Sequence, residues 1–195
     1  MRITSWNYLH GQLLDPAGGD EALSTTLALL ASDVIALQEI DANQERSGGG
    51  SQSEEIANAI GAKSWGFAPT LVGTPGFQWR KLRREEVIVD ENSGNTDPRY
   101  GISIVSKVPV AHWLRKELGR SVIGMPLAVA GENGKLGLIY VRDEPRVALA
   151  AVLDNGWTVI NVHLSFVPLF NVYQLIKVSR WAAKIERSEE HTSEL

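Results

Sequence analysis

No cysteine occurs among the 195 residues, so neither a disulfide framework nor a thiolate metal site is open to this chain, and any metal must sit on oxygen or imidazole ligands. The same absence fits a reducing compartment. Long apolar runs are missing too: none approaches the roughly 20 residues of a membrane-spanning helix. The segment after Met1 alternates, where a signal peptide would show a basic stretch and then an apolar one. Together these gaps predict a soluble, cytoplasmic protein without a membrane span. A basic excess is also lacking. The formal charge of −4 argues against a strongly basic nucleic-acid footprint, although a metal-using enzyme approaches phosphates through its cation. What remains is ordinary globular material, 44% hydrophobic and 22% charged, in a length suited to one domain with a real core.

The C-terminal stretch RSEEHTSEL (187–195) does not continue the pattern before it and looks like the in-frame translation of a sequencing-adapter oligonucleotide. Fold reasoning therefore stops at residue 186. The expectation is one domain over 1–186, a non-native tail over 187–195, and a natural chain that runs further.

RITSWNY (2–8) alternates well enough for a strand and is followed by a loop rich in turn residues. Leu23, Leu27 and Leu30 recur at helical spacing, which predicts a helix over 20–31. VIALQEI (34–40) reads as a strand buried on both faces. Ser51 and Glu54 form a capping-box pattern for a helix ending near Gly61. This β-α-β-α order indicates an α/β layer architecture. The middle is less regular: 71–98 reads as a long excursion with a charged tip, and 119–145 as a second irregular stretch. Between them YGISIVSK (100–107) and the run after Pro109 read as strands. RVALAAVL (146–153) and WTVINVHLS (157–165) flank Asp154-Asn155-Gly156, a strong hairpin signal. From Asn171 onward, Val172, Leu175, Ile176, Trp181, Ala182 and Ile185 predict a helix packed through that face.

Polar residues stand at the ends of apolar strands, where α/β sheets present their ligands. Asn7 closes the first strand, Glu39 the second, and His163 interrupts the apolar pattern of the last hairpin strand. Singly, each fits a solvated strand end; at corresponding ends, they converge. Asn161 faces the same side as His163 by strand alternation and is a weaker candidate for substrate binding.

RITSWNYLHG, DVIALQEID, YGISIVSKVPV and RVALAAVLDNGWTVINVHLSF, in that order, resemble four blocks of the endonuclease/exonuclease/phosphatase superfamily. These metal-dependent phosphoesterases include pancreatic-type deoxyribonuclease, abasic-site endonucleases, bacterial sphingomyelinases and inositol-polyphosphate 5-phosphatases. The resemblance covers most of residues 2–166. It implies a four-layer α/β sandwich, two packed mixed sheets between helices, incomplete here at the C-terminus. It makes Glu39 the principal ligand of Mg2+, with Mn2+ as a substitute, and Asn7 a residue that orients the metal site or a phosphate oxygen. A carboxylate on a rigid strand end suits Mg2+, which takes one or two carboxylates, keeps waters and completes its shell with phosphate oxygens. His163 would bond the scissile phosphate or assist the leaving oxygen, as an imidazolium donor can. Arg146 and Tyr100 would contact phosphate, and Asp97 would partner the histidine. Arg46 and Ser47 also stand where they could meet substrate, although ERSGGGSQS reads equally as a flexible turn.

The family's GDFN-like and SDH-like blocks are absent from the sequence. The reading is therefore a Mg2+-dependent phosphoesterase that hydrolyses a phosphate ester by metal-assisted attack of water, lacking its later motifs and inactive as given. The alternative is a non-catalytic binding module on the same fold. The substrate stays open between nucleic acid, phospholipid and inositol phosphate. The tract Trp79, Arg80, Lys81, Arg83 and Arg84 is a candidate contact for any of them.

Overall fold

The computed structural model describes residues 1–12, 19–83, 86–90, 96–130 and 136–192; Arg84 lies outside them. The chain divides into two compact units, one of 1–116 with 147–163 and one of 117–146 with 164–195.

The first unit is built on a six-stranded mixed sheet. β1 (Ile3–Asn7) pairs in parallel with β2 (Val34–Ala42), and β2 pairs antiparallel with β6 (Arg99–Ser106). β3 (Ser64–Gly73) lies on the far side of β6 and also carries the short strands β4 (Trp79–Arg80) and β5 (Val89–Asp90). A second sheet has the order β11 (Thr158–Val162), β10 (Arg146–Leu153), β7 (Val110–Gly119).

β2 is buried on both faces because its residues alternate between two cores. Ile35 and Leu37 join Leu27 of α1 (Gly19–Leu30) and Ile56 and Ala57 of α2 (Gln52–Ile60) in a sheet–helix core. Val34 joins Ala68, Ile102 and Ile104 against Val147, Leu149, Ala151 and Val159 of the second sheet. The layer order of this unit is helices, sheet, sheet, an α/β sandwich as the resemblance implies. The end signals act as read: Ser51 Oγ accepts from Glu54 N at 3.4 Å, Gly61 closes α2 at φ +64°, and Gly156 turns the β10–β11 hairpin at φ +85°.

Two expectations need correction, and one strand was not anticipated. Residues 64–73, of which only 71–73 fall in the expected excursion, form a full strand, with Pro69 beside its register shift. The stretch 119–145 contains an antiparallel hairpin in the second unit, β8 (Met125–Ala130) with β9 (Leu136–Val141). The last helix, α3 (Phe170–Thr192), extends past residue 186, and its buried side departs from the expected one in the first turns while keeping Ile185. Gln174, Val178 and Ile185 are buried there, whereas Val172, Leu175 and Ile176 are about half exposed. Gln174 goes inside because its amide accepts from Ser165 N at 2.7 Å and donates to Gly119 O at 3.2 Å, so a polar residue holds a place that the apolar pattern assigned elsewhere.

Candidate active site

Glu39 is the extra residue of a β-bulge. The β2–β6 register steps from Gln38↔Ile102 directly to Ile40↔Gly101, and Glu39 has φ +58°. Regular alternation would send Glu39 to the same side as Leu37, into the apolar core. The bulge instead hands that side to Ile40, which joins Ile35 and Leu37 in the sheet–helix core, and turns the carboxylate out to a side-chain exposure of 20%. Gly101, which pairs with Ile40 just past the bulge, is pressed from the other side by β3: a Cβ there would lie 2.2 Å from Ala68 O. A left-handed non-glycine residue is strained and persists because its surroundings fix it.

One carboxylate oxygen gathers the neighbours. Asn7 Nδ2 donates to Glu39 Oε1 at 2.8 Å, and His163 Nε2 lies 3.9 Å from the same atom. Asn7 Oδ1 accepts from Leu9 N at 3.1 Å, which fixes the amide with its NH2 toward the carboxylate. Glu39 Oε2 takes no hydrogen bond among the described residues.

Below these groups runs a polar tie. Gln38 Nε2 donates to Asn161 Oδ1 at 2.7 Å, and Asn161 Nδ2 donates to Leu37 O at 2.7 Å and Ser103 O at 2.8 Å. Asn161 is 2% exposed, so its amide locks β11 to β2 and β6, and the geometry gives it a positioning role in place of substrate contact. Gln38 was not singled out from the sequence. The signal was there, a glutamine inside the apolar run VIALQE, because a buried amide must find partners.

A third group lies beside the carboxylate. Arg46 grips the fully buried Asp41 through two bonds of 2.7 Å, Nε to Oδ2 and NH2 to Oδ1, and its guanidinium lies 5.8 Å from the centre of the Tyr100 ring. Gln52 accepts from Asp41 N at 2.9 Å and donates to His10 O at 2.8 Å. That bond helps hold the turn Leu9–Gly11, where Leu9 and His10 both have positive φ. Burial, and after it the Arg46 guanidinium, lowers the His10 pKa below the usual histidine value, against the opposing pull of Asp41 and Glu39. His10 and Asp41 are thus neighbours of the site that the sequence did not announce.

The other candidates have partners of their own. Tyr100 is buried at the Arg46 cation. The Asp97 carboxylate pairs with Arg80 at 3.3 Å. Arg146 belongs to the second unit, where it faces the buried Asp143 at 3.6 Å. Ser47 donates to Gln44 O at 3.3 Å.

A site for a hard cation needs carboxylate oxygen presented on rigid backbone. Glu39, with Oε2 open and its other oxygen held by Asn7, fits a cation carried by one carboxylate, waters and substrate oxygens. Among the described residues no group of three carboxylates or histidines stands ready to cage a metal alone. Asn7, with its oxygen engaged by Leu9 N, presents only its NH2 to the carboxylate.

Comparison with known proteins agrees with this architecture. No family model and no curated protein matches the chain. Among solved structures it is similar to an endonuclease/exonuclease/phosphatase from Beutenbergia cavernae, with a TM-score of 0.52 and 20% identity, over 88% of this chain and 40% of that one. A second similar structure is an endonuclease/exonuclease/phosphatase family protein from Leptotrichia buccalis, with a TM-score of 0.49 and 10% identity, over 90% of this chain and 61% of that one. The chain has the fold of that Beutenbergia cavernae protein, an α/β sandwich. It spans less than half the length of the Beutenbergia cavernae chain. No described helix is long and apolar enough to cross a membrane.

Proposed function

We propose that this chain carries the metal carboxylate and the phosphate-facing histidine of a Mg2+-dependent phosphoesterase, working in the cytoplasm. One observation supports the reading most: Asn7 of β1 and His163, just past the end of β11, both approach a single carboxylate oxygen of Glu39 at a strained bulge. Glu39 would hold Mg2+ or Mn2+. When bound, the cation supplies Lewis-acid polarisation of the phosphate and neutralises charge on the leaving oxygen. Asn7 keeps the carboxylate in one orientation, so that Oε2 stays available. His163 Nε2 donates to a phosphate oxygen as negative charge develops, and the Gln38–Asn161 tie prevents its strand from shifting. Arg46 lends positive charge at the rim.

The test is nuclear magnetic resonance of the labelled protein during successive additions of Mg2+ and inorganic phosphate. Phosphate should shift the His163 imidazole and the Glu39 amide only after Mg2+ is present, and Glu39→Gln should abolish both responses. Phosphate shifts that are equal in Glu39→Gln would remove the assignment.

A further inference from the structure

In the second unit, β8 and β9 pair only with each other among the described residues. By strand alternation Leu138 and Tyr140 stand on one face of β9 and Ile139 on the other, yet they are 77%, 65% and 51% exposed, so both faces of the ribbon meet water. Just before β8, Val122 and Ile123 are exposed as well, Val122 completely. A two-stranded ribbon is marginally stable in water, and neighbouring apolar side chains left outside mark a surface that something covers. At the base of the ribbon a cavity of about 250 Å3 is lined by the same Val122, Ile123 and Tyr140 together with Arg120, Ser121 and Arg142. Its polar groups are donors. Arg142 has neither a hydrogen-bond nor an ion-pair partner among the described residues. The Tyr140 hydroxyl accepts from Gly124 N at 2.9 Å and Ser121 Oγ from Ile123 N at 3.2 Å, which leaves both protons to give. The acid in the lining, Asp143, is already engaged: Oδ2 accepts from Ser121 N at 2.7 Å and Ser165 Oγ at 2.8 Å, and Arg146 lies 3.6 Å from Oδ1. Arg142 therefore remains for an anion, with Arg120 beside it.

Each class of partner would use a different share of this surface. A soluble anion fills the pocket but leaves five large apolar side chains in water. A protein face covers one side of the ribbon, leaves the other exposed and has no use for the arginine at its base. A phospholipid interface meets all of it. Acyl chains surround both faces of the ribbon, the phosphate reaches the donors of the pocket, and the Tyr140 hydroxyl lies at the level between them, where tyrosine and arginine side chains are at home. The formal charge of −4 gives the chain no general pull toward an anionic surface, so the preference for charged lipid falls to the pocket. We propose that the β8–β9 ribbon is an anchor for the surface of a membrane: its apolar side chains enter among the chains of an anionic phospholipid, whose phosphate is taken by Arg142, Tyr140 and Ser121. The anchor lies on the bilayer and crosses nothing. The inference stands on the second unit alone and does not depend on the phosphate site of Glu39 and His163.

Flotation of the full chain with phosphatidylcholine vesicles, with and without phosphatidylglycerol, tests the anchor. Vesicles that contain phosphatidylglycerol should take up the chain about fivefold more strongly, the gain expected from one arginine at an anionic surface. Leu138→Ser combined with Ile139→Ser should lower uptake by both kinds of vesicle at least about tenfold. Arg142→Gln should float with phosphatidylcholine as before and lose the preference for phosphatidylglycerol. Circular dichroism confirms that the variants are folded, and Val122→Ser combined with Ile123→Ser repeats the apolar test beside the ribbon if the first pair unfolds it. Dihexanoyl phosphatidylglycerol, kept below its micelle concentration, should shift the nuclear magnetic resonance signals of Tyr140 and Arg142, and inorganic phosphate should bind there about tenfold more weakly because it buries no chain. Equal affinity of these two probes would make the pocket a site for a soluble anion and overturn the anchor. No flotation of the unaltered chain, or flotation untouched by the apolar substitutions, would overturn it too, and a preference that survives Arg142→Gln would take the lipid phosphate out of the pocket. A chain that stays off vesicles but self-associates, and becomes monomeric in Leu138→Ser with Ile139→Ser, would assign the ribbon to a second copy instead.

Discussion

Glu39 combines a left-handed backbone, a bulge and a half-open carboxylate, and each follows from the need to bring a charge out of a strand that is otherwise core. Its meeting with Asn7 and His163 was legible in the sequence, because a carboxylate after VIALQ, an asparagine after a first strand and a histidine in a last one fall at matching strand ends. The residues that hold them were not legible, since Gln38 and Asn161 read as unremarkable polar positions until the strands are paired. Asn161→Ala strands Leu37 O, Ser103 O and the Gln38 amide without their partner, and should cost at least about 2 kcal/mol in urea unfolding. A loss below a few tenths of a kcal/mol would mean that water replaces the amide at no cost. His163→Ala should leave Mg2+ affinity nearly unchanged but weaken Mg2+-dependent binding of inorganic phosphate about tenfold, the loss expected from one hydrogen bond to a charged group. Equal phosphate affinity would take the histidine out of the phosphate site.

At the scale of elements, sequence patterns succeeded where one periodicity rules, as in β2 and the Asp154-Asn155-Gly156 hairpin, and failed where a partner decides. β3 is a strand despite Gly66 because the glycine makes room for Trp113, whose ring would lie 2.7 Å from a Cβ there. Gly66→Ala should therefore destabilise by about 1–3 kcal/mol, read as a lowered melting temperature; an unchanged one would show that Trp113 moves aside freely. The phase of α3 was missed for a related reason, since apolar counting cannot see that Gln174 has two partners waiting inside. The charged connection between β4 and β6 has its own signature. Glu86 is held down to about 2 from the ordinary 4.5, first by its bonds to Arg80 and then by Arg83 N, with Arg99 adding its charge. A depressed carboxyl stabilises the fold fully above about 4.5, and that contribution drains away as pH falls toward about 2. Glu86→Gln should flatten this part of the melting-temperature profile; a slope identical to that of the unchanged protein would place the acid sensitivity elsewhere.

Over the whole molecule, the sandwich of the first unit is a device for bringing three strand ends to one point. The α/β order and most of the strands of this sandwich could be read from hydrophobic pattern, while the division into two units could not, because no composition shift marks it. With a formal charge of −4, the chain has no general attraction for phosphates to offer, so recognition must be local. Everything then depends on whether Glu39 holds a cation. Electron paramagnetic resonance of Mn2+, titrated into the protein and into Glu39→Gln, measures this directly, with circular dichroism confirming that both are folded. The account predicts one Mn2+ bound per chain, weakened at least about tenfold by the loss of the carboxylate charge. Binding of the same stoichiometry and affinity in a folded Glu39→Gln protein would contradict it.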